Sequence, residues 1–267
     1  MSSGANGKKA LTVKSIAAKK DRVVISFSNG EILNCSVDAY TEFRLYANKE
    51  ISSAEFKKLK EYATNDDFYS KALSMISSRP RSEMEIRQKL IELKADVESR
   101  NKIVARLKQN GLLDDKQFAI DYAEELSEYK HEGKHLILQR LKDKGIDENI
   151  LNKLQFPLKN EKNNALSWME SLNKRYAKSP NSKKYQQVKL ALREKGFEPE
   201  AIEYALAKGY EDNLEREDRD KLKKDLKYAL DKYEKKYEGY ALRSHLFACL
   251  ARKGYDYDDI NNALEDI

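Results

Sequence analysis

The sequence contains few of the residues that interrupt regular secondary structure. Only 10 glycines and 4 prolines occur among 267 residues, and because these residues mark most turns, their scarcity favours long helices. Long apolar runs are also missing, and no hydrophobic segment follows the lysines near the N-terminus. The sequence therefore predicts neither a membrane-spanning helix nor a secretory signal, and we expect a protein of the cytoplasm.

Side chains that could carry catalysis or bind a metal ion are equally scarce. Cys35 and Cys249 are too few and too far apart in sequence for a disulfide framework or a paired metal site. His131 and His135 fit one helix face, but no third ligand stands near them. The sequence has no glycine-rich phosphate loop and no HExxH motif, and its carboxylates fall at helix starts and exposed faces. We therefore predict no enzymatic activity, no metal site and no cofactor.

The charge balance is mildly basic, with 51 Lys and Arg against 45 Asp and Glu and a formal net charge of +6. Apolar residues make up 40% of the chain, which is enough for a thin core spread along a repeat array or a bundle. So modest a charge permits a basic stripe for phosphate contact, although most such charges are solvated helix faces. Trp168 and the 16 tyrosines recur at helical spacing, which favours core packing over base stacking.

The first 65 residues read differently from the remainder of the chain. Three apolar and β-branched runs, Leu11–Ile16, Val23–Phe27 and Ile32–Val37, are separated by turn signals. Asn29-Gly30 between the last two runs is a strong hairpin signal, because both turn residues must tolerate a positive φ angle. The pattern predicts a three-stranded antiparallel sheet, followed by two short helices before residue 65.

A glycine corner recurs in the remainder of the chain, at Gly145, Gly196 and Gly254. Each of these glycines follows a basic residue and precedes an apolar one, as expected where a helix ends in the left-handed conformation. Apolar residues stand four and eight positions before each glycine, so each pair lies on one helix face. The pairs are Leu141 with Ile137, Leu192 with Val188, and Leu250 with Leu246.

A looser copy upstream has Ile86 and Leu90 at the same two places, with Lys94 and Ala95 instead of the glycine corner. An apolar stripe before each copy predicts a first helix, so each unit contains three helices. The predicted fold class is therefore mainly α, with four tandem three-helix repeats in an extended, curved array behind a small N-terminal sheet domain. We place that domain at residues 1–65 and the repeats at residues 66–114, 115–158, 159–213 and 214–267.

Three arginines surround the predicted start of the second helix in the first repeat. Ser82 and Glu85 have the spacing of a capping box, in which each side chain bonds the other residue's backbone amide. That pattern does not account for Arg79, Arg81 and Arg87. Two interpretations stay open for these arginines: surface ion pairing, and contact with phosphate or with an acidic partner surface.

Further basic residues lie on the second helices of the later repeats. If the repeats stack, these helices line up along one edge and form a discontinuous basic stripe that could follow a polyanion or a filament. The alternative is a set of independent solvated faces. The residues are Lys134, Arg140, Lys142, Lys144, Lys183, Lys184, Lys189, Arg193, Lys195, Arg243, Arg252 and Lys253.

Three segments together resemble the RecX regulatory proteins. They are Ser78–Ser82, which reads Ser-Arg-Pro-Arg-Ser; Gly111–Asp115, which reads Gly-Leu-Leu-Asp-Asp; and Leu141–Ile146, which reads Leu-Lys-Asp-Lys-Gly-Ile. The resemblance is strong over residues 66–155 and weaker elsewhere. Glu124 and Glu128 lie where that family tends to have arginines, so the second repeat departs from a strongly basic face.

The resemblance implies a non-catalytic, monomeric modulator of the RecA recombinase that acts in DNA repair, recombination and the SOS response. Such proteins bind along the groove of the RecA filament on single-stranded DNA and limit its growth, strand exchange and coprotease action. Two alternatives stay open: a direct DNA-binding protein with helix-turn-helix units, and a generic helical adaptor. Helix-turn-helix readers need base-contacting side chains on one helix and usually a dimer, whereas the second helices here carry mainly lysines and arginines.

Overall fold

The computed structural model describes residues 10–20, 22–210 and 214–265. The chain divides into two compact units, Met1–Phe118 and Ala119–Ile267, which are described separately below. Helices dominate behind an N-terminal antiparallel sheet, so the prediction of a mainly α fold with a small sheet domain is confirmed. Among the described helices, none combines the length and the apolar character that a bilayer crossing requires.

The sheet of the first unit has four strands rather than the predicted three. Its order is β3-β2-β1-β4 and the pairings are antiparallel. Gly30 has a φ angle of 86° in the predicted Asn-Gly turn, and the Phe27 amide donates to the Glu31 carbonyl at 2.9 Å across it. The fourth strand is only two residues long, which is too short to give a sequence signal. The strands are β1 Leu11–Lys19, β2 Arg22–Phe27, β3 Ile32–Ser36 and β4 Glu50–Ile51.

One long helix covers the sheet and continues into the first repeat. After α1 (Val37–Glu42), α2 runs without a break from Ser53 to Ser78. Phe56 on α2 packs edge-on against Phe27 of the sheet, with ring centroids 4.8 Å apart. Farther along, α2 buries Tyr69 and Ala72 against α3 and α4. The second short helix of the sequence analysis and the first helix of repeat one are thus a single helix that runs through residue 65.

The remaining helices follow the predicted three-helix order. The first helix of the third repeat is divided at Trp168 into α8 and α9, and the third helix of the second repeat is only four residues long. The helices after α2 are α3 Glu83–Glu92, α4 Val97–Gln109, α5 Asp115–Glu128, α6 Lys134–Asp143, α7 Glu148–Leu151, α8 Leu158–Ser167, α9 Met169–Arg175, α10 Asn181–Glu194, α11 Pro199–Gly209, α12 Leu214–Tyr233, α13 Gly239–Lys253 and α14 Tyr257–Leu264.

The predicted corners have the expected backbone conformation. Gly145, Gly196 and Gly254 have φ angles of 75°, 86° and 100°. Lys94 takes the same left-handed conformation in the first repeat, with a φ angle of 62°, so the looser copy keeps the turn without the glycine. The apolar residues four and eight positions before the glycines are all 0% exposed: Leu141, Ile137, Leu192, Val188, Leu250 and Leu246.

Candidate functional site

Each of the second helices α3, α6 and α10 begins with a backbone amide that is bonded to a carboxylate from a later helix. The carboxylate belongs in each case to the first helix of the following repeat. The bonds join Glu83 N to Asp115 Oδ1 at 2.8 Å, Lys134 N to Glu161 Oε1 at 2.6 Å, and Asn181 N to Asp218 Oδ1 at 2.8 Å. These helix starts therefore already have an anionic partner within the chain.

The N-terminus of α3 is consequently occupied by the protein itself. The capping box of Ser82 and Glu85 is present as predicted, and Asp115 takes the next amide. An incoming phosphate finds these amides already bonded, because both the box and the carboxylate have satisfied them. This helix start therefore offers a phosphate no free backbone amide at Ser82, Glu83 or Glu85, and any contact of the surrounding arginines with an anion would have to be made by their side chains alone.

The three arginines around α3 make ion pairs with nearby glutamates. Arg79 bonds Glu85 at 2.8 Å, and Arg81 lies 3.9 Å from the same carboxylate. Arg87 bonds Glu83 at 2.6 Å. Exposed pairs of this kind contribute only about 0–1 kcal/mol, so they hold the arginines in place without preventing exchange for a stronger anionic partner.

The basic residues of α6 are also paired. Lys134 Nζ bonds Glu198 at 2.8 Å, and Arg140 makes a two-pronged contact with Glu132 at 2.7 and 3.0 Å. The hydrogen bond from Lys134 is the main reason that the pKa of the Glu198 carboxyl lies below its usual value. Lys142 lies 3.3 Å from Glu148, and Lys144 Nζ lies 5.1 Å from the centroid of the Tyr122 ring.

Lys184 of α10 is not the exposed cation that the sequence predicts. It is only 9% exposed, and its Nζ lies 5.6 Å from the centroid of the Tyr210 ring. Lys195 Nζ lies 3.0 Å from the centroid of the Trp168 ring, and burial there lowers the pKa of the Lys195 ammonium. Lys184 is covered by tertiary contacts and Lys195 is half-buried against Trp168, so both lysines belong to the packing of the third repeat.

The other cations of the third and fourth repeats differ in exposure and pairing. Lys183 and Arg193 are exposed, and neither has an ion pair in the described part of the chain. The pairs that do form are Lys189 with Glu203 at 2.6 Å and Lys253 with Asp225 at 2.6 Å. Arg243 and Arg252 donate to backbone carbonyls, those of Leu264 and Ala248, both at 3.2 Å.

A groove of about 550 Å³ lies beside α10 and α11 and includes one of these unpaired cations. Its lining contains Lys189, Leu190, Arg193, Phe197 and Ile202. Leu190 is 56% exposed, although Leu192, two residues further along the same helix, is fully buried. Arginine is enriched among the residues that contribute most of the binding energy at protein interfaces, so Arg193 is the candidate anchor of this groove and Leu190 adds exposed apolar area beside it.

A second group of exposed lysines without ion pairs in the described residues lies on α12 and in the turn after it, where no site residue was predicted from the sequence. Residues 214–267 carry 12 Lys and Arg against 13 Asp and Glu, so the segment total concealed a locally basic face. The signal that could have revealed it is the local density of lysines, seven of them within residues 220–236. We define the α12 lysine face as four lysines of α12 and two of the turn that follows it, all exposed: Lys223, Lys224, Lys227, Lys232, Lys235 and Lys236.

Known proteins resemble this chain in both sequence and architecture. The family model described as "RecX, first three-helix domain" matches residues 69–107, which span the end of α2, α3 and most of α4. A curated Regulatory protein RecX from Streptococcus pneumoniae serotype 19F (strain G54) is 30% identical over 268 residues, covering 96% of this chain and 99% of that protein. The chain belongs to the RecX family.

Other RecX proteins agree over similar spans. The Regulatory protein RecX of Streptococcus equi subsp. zooepidemicus (strain MGCS10565) is 29% identical over 262 residues, covering 96% of this chain and 99% of that protein. A crystal structure of regulatory protein RecX superimposes with a TM-score of 0.62 at 25% identity, covering 73% of this chain and 98% of the other. The RecX relatives are therefore similar to nearly the whole chain, beyond the first repeat alone.

Proposed function

We propose that this RecX family chain is a non-catalytic regulator that binds the RecA filament on single-stranded DNA and limits its recombinase, ATPase and coprotease activities. The proposal is carried by the near full-length similarity to proteins named Regulatory protein RecX. Its partner and direction of action follow from what the resemblance implies for that family. No reacting group on this chain is needed for such a function, because binding alone alters filament growth.

The groove beside α10 supports a protein partner and gives the proposal a defined surface. Leu190 offers exposed apolar area, and Arg193 lies in the same groove without an ion pair among the described residues. An acidic partner surface can pair with Arg193 without first breaking a bond within the chain. The ion-paired arginines around α3 form a second, weaker candidate surface, because each pair must be exchanged.

The test adds the purified chain to RecA filaments on single-stranded DNA and measures ATP hydrolysis and co-precipitation, with and without nucleotide. The wild-type chain is expected to bind the filament and to slow hydrolysis. Leu190→Asp should weaken both effects, because it replaces exposed apolar area in the groove lining with a negative charge. The matched control is Leu158→Asp, at another exposed leucine outside this groove. No binding by the wild-type chain under any nucleotide condition would refute the proposal.

A further inference from the structure

The α12 lysine face differs from the other lysine-bearing surfaces in its pairing. Many exposed lysines elsewhere contact a carboxylate one helical turn away, as Lys102 does with Glu98 and Lys174 does with Glu170, both at 2.6 Å. The six lysines of the α12 face have no ion pair in the part of the chain that the structure describes. Lys223 and Lys227 are also like charges four residues apart, an arrangement that destabilises a helix. The stability of the folded chain therefore does not explain why these lysines are clustered here.

The acidic residues of the same segment do not neutralise the face. Residues 220–236 contain seven lysines and four acidic residues. Asp225 is already engaged, because it accepts from Lys253 at 2.6 Å and from the Tyr255 hydroxyl at 2.8 Å. Asp220 and Asp231 lie on the exposed side of α12, yet neither forms an ion pair with these lysines in the described residues. The surface keeps a net positive charge that is available to a ligand.

Exposed tyrosines alternate with these lysines. Tyr228 is 67% exposed and lies between Lys224 and Lys232, each four residues away, so the three side chains follow one stripe at intervals of about 6 Å. Tyr240, at the start of α13, is 89% exposed. These two rings depart from the expected core role of the tyrosines, and the inner face of α12 is filled by Leu222, Leu226 and Ala229.

More aromatic rings lie where α12 meets α13. The His245 ring lies 3.9 Å from the Tyr237 ring and 5.7 Å from the Tyr233 ring, measured between centroids. Lysines that follow a backbone, together with accessible aromatic rings, are the combination that binds single-stranded nucleic acid, because phosphates pair with the lysines and unstacked bases stack on the rings. An acidic protein surface would use the charges but has no need of the rings.

From this arrangement we infer that the α12 lysine face, with Tyr228 and Tyr240, is a binding site for single-stranded nucleic acid. Recognition is independent of base sequence, since lysines contact the backbone and every base has a face that can stack. The inference goes beyond the proposed function, because this contact requires no recombinase. A failure here would leave the groove beside α10 and its filament assay unaffected.

The charge part is tested with the full chain alone and a fluorescent oligothymidine, followed by anisotropy over a salt series. The triple variant Lys224→Gln, Lys227→Gln, Lys232→Gln is compared with Lys57→Gln, Lys102→Gln, Lys174→Gln, which removes the same charge from exposed, ion-paired lysines. The first triple is expected to weaken binding at least about tenfold and to lower the slope of log affinity against log salt by about 2. Equal affinities for the two triples would overturn the inference.

The stacking part uses Tyr228 and a base-free ligand. Tyr228→Leu should weaken binding of the oligothymidine by about 5- to 150-fold, whereas Tyr228→Phe should keep most of the affinity. An abasic oligonucleotide with the same number of phosphates should bind the wild-type chain more weakly and should not respond to Tyr228→Leu. If the wild-type chain binds both ligands equally and Tyr228→Leu changes neither, the face takes any polyanion and the inference is wrong.

Discussion

The amide nitrogen of Lys134 lies 2.6 Å from Oε1 of Glu161, a carboxylate that is only 6% exposed. Gly133, at the N-cap of α6, has no side chain that could satisfy this amide. Glu161 thus takes the place of a local cap and ties the second repeat to the third. Equivalent bonds at Asp115 and Asp218 show that the connection is a repeated device of the fold.

Glu161→Ala should lower the free energy of unfolding by about 1–3 kcal/mol, because it leaves a partly buried amide without an acceptor. Glu161→Gln keeps an oxygen acceptor and should lose less. Trp168 is a suitable fluorescence reporter, since its indole nitrogen donates to the His131 carbonyl at 2.8 Å in the same region. Glu170→Ala, at an exposed glutamate, is the control. A loss no greater than that of the control would show that the bond contributes nothing.

Gly196→Ala should lower the free energy of unfolding by more than the strain of a positive φ angle alone would. Gly196 and Gly239 both have positive φ angles, but an added methyl meets the Leu136 backbone at Gly196 and open space at Gly239. Backbone strain applies to both substitutions at about 1–2 kcal/mol, and overpacking adds about 1–3 kcal/mol at Gly196 only. Chemical denaturation of the two variants measures the difference. Equal losses would mean that α6 shifts freely away from the corner.

Leu192→Ala should lower the free energy of unfolding by about 2–5 kcal/mol, because the side chain is 0% exposed in the core of the third repeat. Leu190→Ala, two residues away on the same helix, removes the same atoms from a side chain that is 56% exposed. Its cost should stay below about 1 kcal/mol. Comparable losses in urea denaturation would contradict the assigned orientation of α10.

Local periodicity was sufficient to predict the buried face of each second helix, but not which charges the fold would cover. Leu192 lies at a fixed distance from its glycine corner, so its burial follows from helix geometry. Lys184 is buried near Tyr210, the residue that follows α11, which no spacing within α10 indicates. The carboxylates at Asp115, Glu161 and Asp218 are likewise separated by 27 to 37 residues from the amides they accept. Such pairings depend on tertiary packing.

Acid should destabilise the first unit through Glu83. Burial acts to raise the pKa of Glu83, but hydrogen bonds from Lys108 and Arg87 outweigh it and hold the pKa below its ordinary value of 4.5. The folded state therefore binds this proton less tightly than the unfolded state. The stabilisation is complete above about pH 4.5 and is lost as the pH falls through the lower folded pKa.

Glu83→Gln should remove this part of the pH dependence, so that its free energy of unfolding falls less steeply between pH 5 and pH 3 than that of the wild type. Unfolding curves followed by far-ultraviolet circular dichroism at each pH give the slopes. Glu124→Gln removes a glutamate that is exposed and serves as the control. Identical slopes for all three proteins would contradict an ionic role for the contacts of Glu83 with Arg87 and Lys108.

If the proposed function holds, charge reversal at Lys183 and Arg193 should weaken the inhibition of RecA while leaving the fold intact. Both side chains are exposed and neither has an ion pair in the described residues, so replacing them with glutamate costs little folding energy. Lys184 must stay unchanged, because a carboxylate at that covered position would destabilise the helix packing and obscure the result.

The double variant Lys183→Glu, Arg193→Glu is measured by RecA-driven ATP hydrolysis over a salt series. The control Lys174→Glu, Lys178→Glu makes the same charge change at exposed positions of the same repeat. Equal inhibition by the two variants and the wild type at every salt concentration would show that these two charges face solvent only.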